Sequence, residues 1–572
     1  MKVNKIFKTA AVALCSMMVL TGCIKETLPM EAAITESQLA QSGAGLESMM
    51  KAIPKAMAFT VAASYDHSDF GYHSVGLNTD FHALIAFPCT RTDRGGNVYY
   101  SRLQAPNYGF DMGPNGGYTH YLWYNYYPWI KSANDVIGAA GSEEMQEYRA
   151  ISKAFRALFY LDLARYYEPL EAEAPELANY KTELKNVYGL TVPWVDENTT
   201  EEEAKANPRC TREELFRHIL DDLGEAAEIM ARYEEDPETG EAELEATVYG
   251  TSPTYPTLAA VYGLYARTYL WLGGFEANDA AEDDPYKTGE AAYREAARYA
   301  RLAIETSKAP ITTEQEWLSV TNGFNTVIPS WLWATVQSSD TVMSNLYAFA
   351  AHMCPEAAYG YGPLACHGVS STMYDRILKT DFRKKVIVGP NTTYEEFKNY
   401  TSMGRDEWEE LAYLAPYTNF KFRPYGGERN DYMRGNAVNL PIMRVEELYF
   451  IEMEAIAHYD MGQAENLLYT FMANRDSRYF MTLGTDLIDE IIFQKQVEFW
   501  GEGQVLFDMK RLDMGVNTTD ANYPSGMLFE SEGRLPWWNM SIPAGEYMVN
   551  KGIKNDQIGP DPSRGLVSKD AM

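Results

Sequence analysis

Tyrosine outnumbers phenylalanine 41 to 23 in this chain, and many of the tyrosines gather in segments that also hold asparagine, arginine and glycine. A phenol is apolar on its face and polar at its rim, so it suits a surface that must be both packed and wet. From Tyr99 to Trp129 there are eight tyrosines and two tryptophans. Tyr99, Tyr100, Arg102, Asn107, Tyr108, Phe110 and Asp111 combine stacking rings with hydrogen-bonding groups, and Tyr72 lies upstream of them. Trp317, Asn322 and Asn325, followed by Tyr359 and Tyr361, repeat the mixture. A sugar ring carries axial C–H bonds on its face and hydroxyls around its edge, so such sets are candidate sugar-binding groups. The competing role for the rings is packing beneath loops. Tyr121, Tyr124 and Trp129 fall on a helical face and are expected in the core.

No other chemistry stands out. The sequence holds no HExxH, no GxSxG elbow, no P-loop and no dinucleotide fingerprint. Its eight histidines show no ligand spacing, so no metal, cofactor or catalytic residue is expected. With 80 acidic residues, adjacent carboxylates such as Asp283 and Asp284 arise without purpose and do not define a glycosidase pair. Cys89, Cys210, Cys354 and Cys366 are too sparse for a stapled fold. A bridge between Cys354 and Cys366 and a pair of buried thiols both remain open.

The first 22 residues set the compartment. Lys2, Lys5 and Lys8 precede a short apolar run that ends in Leu20-Thr21-Gly22-Cys23, the pattern of a cleaved signal with a lipid-acceptor cysteine. The tetrapeptide resembles a lipobox, which implies acylation of Cys23 and anchoring by acyl chains such as palmitate. Ile24 after the cysteine argues against inner-membrane retention, and Lys25-Glu26 loosely resembles a surface-export signal. The chain after Cys23 has 46 basic and 80 acidic residues, a charge of −34, which excludes nucleic acid and anionic membrane surfaces as partners. Contact with a membrane is expected through the lipid anchor only.

The elements that must carry these groups are helices. Apolar residues recur at helical spacing over Glu143–Tyr167, with Ser142 as candidate N-cap, and over Thr211–Arg232, where Thr211 and Glu214 have capping-box spacing. Leu258–Leu272 with Glu290–Thr306, and Glu446–Tyr459 with Gln463–Ala473, read as antiparallel pairs with small residues at close-contact points. They resemble tetratricopeptide repeats. Pro128 interrupts the pattern from Tyr121 to Ile137, so a helix starts or kinks there. Between the helices, 65–118, 232–256, 308–370 and 386–440 are long loops too aromatic to be disordered. The expected fold is all-α, a tetratricopeptide-like scaffold carrying ordered loops.

The order of several motifs carries a family resemblance. Ala133-Asn134-Asp135-Val136-Ile137, Phe155-Arg156-Ala157-Leu158 through Tyr167, and Pro208-Arg209-Cys210-Thr211 with Asp221-Asp222-Leu223 come first. Pro441-Ile442-Met443-Arg444 with Glu447 and Glu454-Ala455, then Arg475 and Arg478, follow. Glu498-Phe499, Glu502-Gly503, Phe507-Asp508, Lys510-Arg511, and finally Ile542-Pro543, Glu546, Asn550 and Asn555 close the series. Together these resemble the SusD/RagB family of outer-membrane nutrient-binding lipoproteins. Tyr167-Glu168-Pro169 replaces the family's Gly-Asp, and Val505 its arginine. The resemblance implies one domain over 23–572, with an N-terminal part at 23–235 and a C-terminal part at 236–572. It implies an outer-membrane, outward-facing binder that delivers an oligosaccharide to a SusC-like TonB-dependent transporter, with peptide or another nutrient as the alternative cargo. A shared site between the 65–118 and 315–370 loops is expected to use Tyr72, Tyr99, Tyr100, Arg102, Asn107, Tyr108, Trp317, Asn322, Tyr359 and Tyr361.

Overall fold

The computed structural model describes residues 43–58, 71–73, 87–89, 113–172, 186–236, 239–342, 348–360, 366–410, 416–519 and 530–559. Its principal helices are α1 (Gly43–Ala58), α2 (Gly117–Ala139), α3 (Gln146–Tyr167), α4 (Arg212–Ala231), α5 (Leu258–Gly273) and α6 (Gly289–Ser307), then α7 (Val445–Ala457), α8 (Met461–Met472), α9 (Leu487–Glu498) and α10 (Val505–Arg511). Each helix from α2 to α8 packs on the next in chain order, and α9 returns to α7. The pairs α5–α6 and α7–α8 are the tetratricopeptide-like hairpins, so the fold is helical as expected. No helix among the described residues is long and apolar enough to cross a membrane.

Strand is confined to two small antiparallel pairs. β1 (Phe87–Cys89) lies against β3 (Cys366–Gly368), and β2 (Trp331–Thr335) against β4 (Leu440–Arg444). β4 runs straight into α7 and packs across α5, where a side chain on Gly263 would collide with Met443.

Local sequence accounts for most element ends. Thr211 and Glu214 form the capping box that starts α4. Ser142 does not cap: a 3-10 turn at Glu143–Met145 comes first, and α3 begins at Gln146. Helix α2 runs through Pro128 without a break at that residue. Pro128 faces solvent, where water can replace the hydrogen bond its nitrogen cannot donate. Tyr121 and Trp129 are buried as expected, but Tyr124 is 49% exposed, because it shares that solvent face four residues upstream. Cys354 is a buried free thiol, so the bridge to Cys366 is not formed.

The motif residues turn out to be buried polar partners. Arg156 of α3 donates to Asn134 of α2 at 2.8 Å and to Asp222 of α4 at 2.7 Å, so three separate motifs close one cluster. Arg209 donates to the backbone oxygens of Thr191, Tyr167, Leu190 and Gln557. Lys510 caps the end of α3 by donating to the carbonyls of Arg165, Tyr166 and Glu168, which have no partner within the helix. Arg267 pairs with both oxygens of Glu447, and Arg511 with Glu454.

The largest such cluster centres on Glu498, the last residue of α9. Arg475 meets its carboxylate in two bonds of 2.9 and 3.0 Å, Arg383 at 3.1 Å and Arg444 at 3.3 Å. These three guanidinium groups hold the Glu498 carboxyl far below the ordinary 4.5 of a glutamate, against the opposing effect of burial. Replacing Glu498 by Gln leaves buried arginines uncompensated and should cost about 3–5 kcal/mol in a denaturant titration. A depressed carboxylate contributes stability that is complete above its unfolded pKa and is lost as pH falls through the folded one. The wild-type chain should therefore weaken as pH drops below 4.5, and the Gln variant should weaken less over that range. Equal acid sensitivity in the two proteins would contradict this assignment.

Candidate functional site

The described loops that rise from this core converge on one surface. Asn325 ties two of them together: its side-chain amide donates to Thr321 O at 2.9 Å and to Pro424 O at 2.7 Å. Asn439 ties a third, accepting from Gln337 N at 3.3 Å while its own backbone N–H donates to Asn325 O at 2.9 Å. Ala358 N donates to Arg429 O, and Arg429 Nε returns to Glu356 O, which adds the segment at 354–360. Gly426 and Gly427 have φ of 62° and 72°, a region open to glycine at no steric cost, and they turn the chain beside Thr321. Gly435 is required for a different reason. A side chain there would meet the Tyr359 hydroxyl at 2.2 Å.

Beneath this surface the loop base is charged and dry. Lys421 donates to the carbonyls of Glu498 and Trp500, both at 2.9 Å, and to the Glu502 carboxylate. Its ammonium lies 4.7 Å from the centre of the Phe324 ring and 5.3 Å from that of Trp317. Burial, with Arg444 nearby, pushes Lys421 down to about 8, while Glu502 pulls it back. Arg423 and Glu356 form a second buried pair at 2.9 Å.

Above the base, Tyr425 is 42% exposed, Val336 41% and Met433 37%, and Asn322 and the Arg434 side chain also face solvent. Together they provide one free ring face, two apolar contacts, an amide and a guanidinium. Such a set can stack on a pyranose and hydrogen-bond its hydroxyls. It contains no nucleophile placed beside a base. No group of three or more His, Cys, Asp or Glu side chains among the described residues could hold a metal ion.

No protein-family model matches the chain, and no curated protein matches it. Solved structures do. A SusD-like carbohydrate-binding protein from Bacteroides vulgatus superposes with a TM-score of 0.63 at 21% identity, over 90% of this chain and 97% of the other. The chain has the SusD-like fold. A SusD superfamily protein from Bacteroides thetaiotaomicron gives a TM-score of 0.60 at 16% identity, over 89% and 98% of the two chains. Surface glycan-binding protein A from the same organism, solved with laminarihexaose, gives 0.60 at 17% identity over 89% and 97%.

Within this SusD-like fold the expected site residues separate. Tyr99, Tyr100, Arg102, Asn107, Tyr108 and Tyr361 lie outside the described residues, as does Cys23. Tyr72 is buried and donates to Asp162 at 3.0 Å, deep between α2 and α3. Trp317 is 2% exposed, edge-on to Phe324 and walling in Lys421, so it offers no face to a ligand. Tyr359 is likewise packed, beneath Gly435. Of the four described, only Asn322 reaches solvent. Tyr425, Met433 and Arg434 were not singled out from sequence, although the Tyr-Gly-Gly at 425–427 inside a long loop was a usable signal.

Two truncations separate the roles. Tyr425→Ala should weaken capture of a bound ligand by about tenfold or more with no change in melting temperature. Trp317→Ala should cost about 3–5 kcal/mol of stability as a cavity opens beside Lys421. A destabilised Tyr425→Ala or an unaffected Trp317→Ala would reverse the assignment.

Proposed function

We propose that this chain is an exported lipoprotein, anchored through Cys23, whose single domain at 23–572 captures an oligosaccharide on its loop surface. In this reading it passes the sugar to a SusC-like TonB-dependent barrel in the outer membrane and catalyses nothing itself. The observation that carries it is the whole-length likeness to proteins described as carbohydrate- or glycan-binding, one of them holding laminarihexaose. A loop surface with an exposed tyrosine, an amide and a guanidinium supports the same cargo. Tyr99, Tyr100, Arg102, Asn107, Tyr108 and Tyr361, which lie outside the described residues, are proposed as further ligand contacts.

A glycan array run beside a peptide library tests the cargo, with oligosaccharide binding expected. Capture of peptides alone would replace the sugar reading. Cys23→Ala should abolish incorporation of an alkyne fatty acid, since in this reading Cys23 is the acylated residue. Undiminished labelling would rule out the anchor. Native mass measurement on solubilised outer membranes is expected to find a barrel bound to the protein.

A further inference from the structure

A second concave site lies away from the loop surface, where the end of α3, the start of α4 and the end of α5 meet. The cleft measures about 260 Å³, and Leu170, Glu171, Tyr188, Arg212, Phe275 and Arg534 are among its lining residues. Tyr188 is 38% exposed, and its hydroxyl has no hydrogen-bond partner among the described residues. Arg212 lies with its guanidinium carbon 3.3 Å from the centre of the Phe275 ring and donates through Nε to buried Glu168 at 2.5 Å. No described acceptor meets its two terminal nitrogens.

Three arginines, Arg212, Arg511 and Arg534, line the cleft with Glu171, in a chain whose net charge is −31. Arg534 donates to three backbone oxygens, those of Lys510, Glu171 and Arg511, and its nearest carboxylate is Asp513 at 3.4 Å. Lys510 below it is wholly bonded to carbonyls. Carbonyls satisfy donors without cancelling charge, so burial lowers the affinity of both side chains for their protons, against the opposing pull of Glu168 on Lys510 and of Asp513 and Glu171 on Arg534. An anionic group entering the cleft would relieve that cost.

We propose that this cleft is a separate subsite for one acidic sugar residue, its ring stacked on Tyr188 and its carboxylate bound by Arg212 above the Arg534 floor. The sugar identity rests on the function proposed above; the site does not use the loop surface. A monosaccharide-sized hollow with one free aromatic face and a forked cation matches a uronate better than a neutral chain.

Titration of the purified chain with trigalacturonate, and separately with laminarihexaose, tests this. Tyr188→Ala should weaken trigalacturonate binding by at least about tenfold, and Tyr425→Ala should leave it unchanged. Arg212→Lys keeps the charge but loses the fork, and should bind more weakly in a protein whose circular dichroism shows the fold intact. Rising salt should weaken the acidic probe more than the neutral one. Wild-type affinity in both Tyr188→Ala and Arg212→Lys overturns the cleft, as does trigalacturonate binding that depends only on Tyr425. Either result leaves the proposed function standing. A chain that captures no oligosaccharide in any assay overturns both.

Discussion

The fold depends on a balanced island of buried charge. Arg383, Arg444, Arg475 and Lys421 face Asp381, Glu446, Glu498 and Glu502, four cations against four carboxylates, all almost wholly removed from water. Desolvating eight charges is expensive, and a well-packed apolar set of similar volume would serve stability as well or better. The island supplies register instead. Each guanidinium satisfies two or three acceptors from different segments, so the 382–386 turn, the β4–α7 junction, the end of α8 and the end of α9 fit in one arrangement. Apolar side chains would slide past one another. The loop surface stands on this island through Lys421, so an interaction far from solvent sets the position of the groups nearest to it.

The same account explains what could be read from sequence. The motifs that carried the family resemblance are the polar members of these clusters: Asn134, Arg156 and Asp222 in one, Arg444, Arg475, Glu498 and Glu502 in another. Their order was visible, and so was the helical period of the segments that hold them. Their pairing was not, because partners such as Arg156 and Asp222 lie 66 residues apart. Helix starts moved by a few residues where a 3-10 turn competed, as at Glu143–Met145. Pro128 did not interrupt α2 because it falls on the wet side.

The aromatic residues were the least legible part. Composition identified rings in loops, but whether a ring faces solvent depends on what lies under the loop. Trp317 and Tyr425 are both aromatics in Gly- and Asn-rich stretches. One is sealed by Lys421 and Phe324, the other stands free on a glycine turn. No local pattern distinguishes them, since Lys421, which closes over Trp317, lies about a hundred residues away in the chain. Charge was equally ambiguous. Among the described residues most buried acids and bases pair with one another, while Arg209 and Lys510 are held by carbonyls instead.

Asn325 and Asn439 have a consequence for how the loop surface would meet a ligand. By pinning three loops through main-chain oxygens and nitrogens, they spend the conformational entropy of those loops during folding. A visitor then finds a preformed relief and need not order it, so more of its contact energy appears as affinity. The same rigidity narrows tolerance. A shape that does not fit the relief cannot recruit a loop movement to improve its fit, and selectivity becomes a matter of geometry fixed before any encounter.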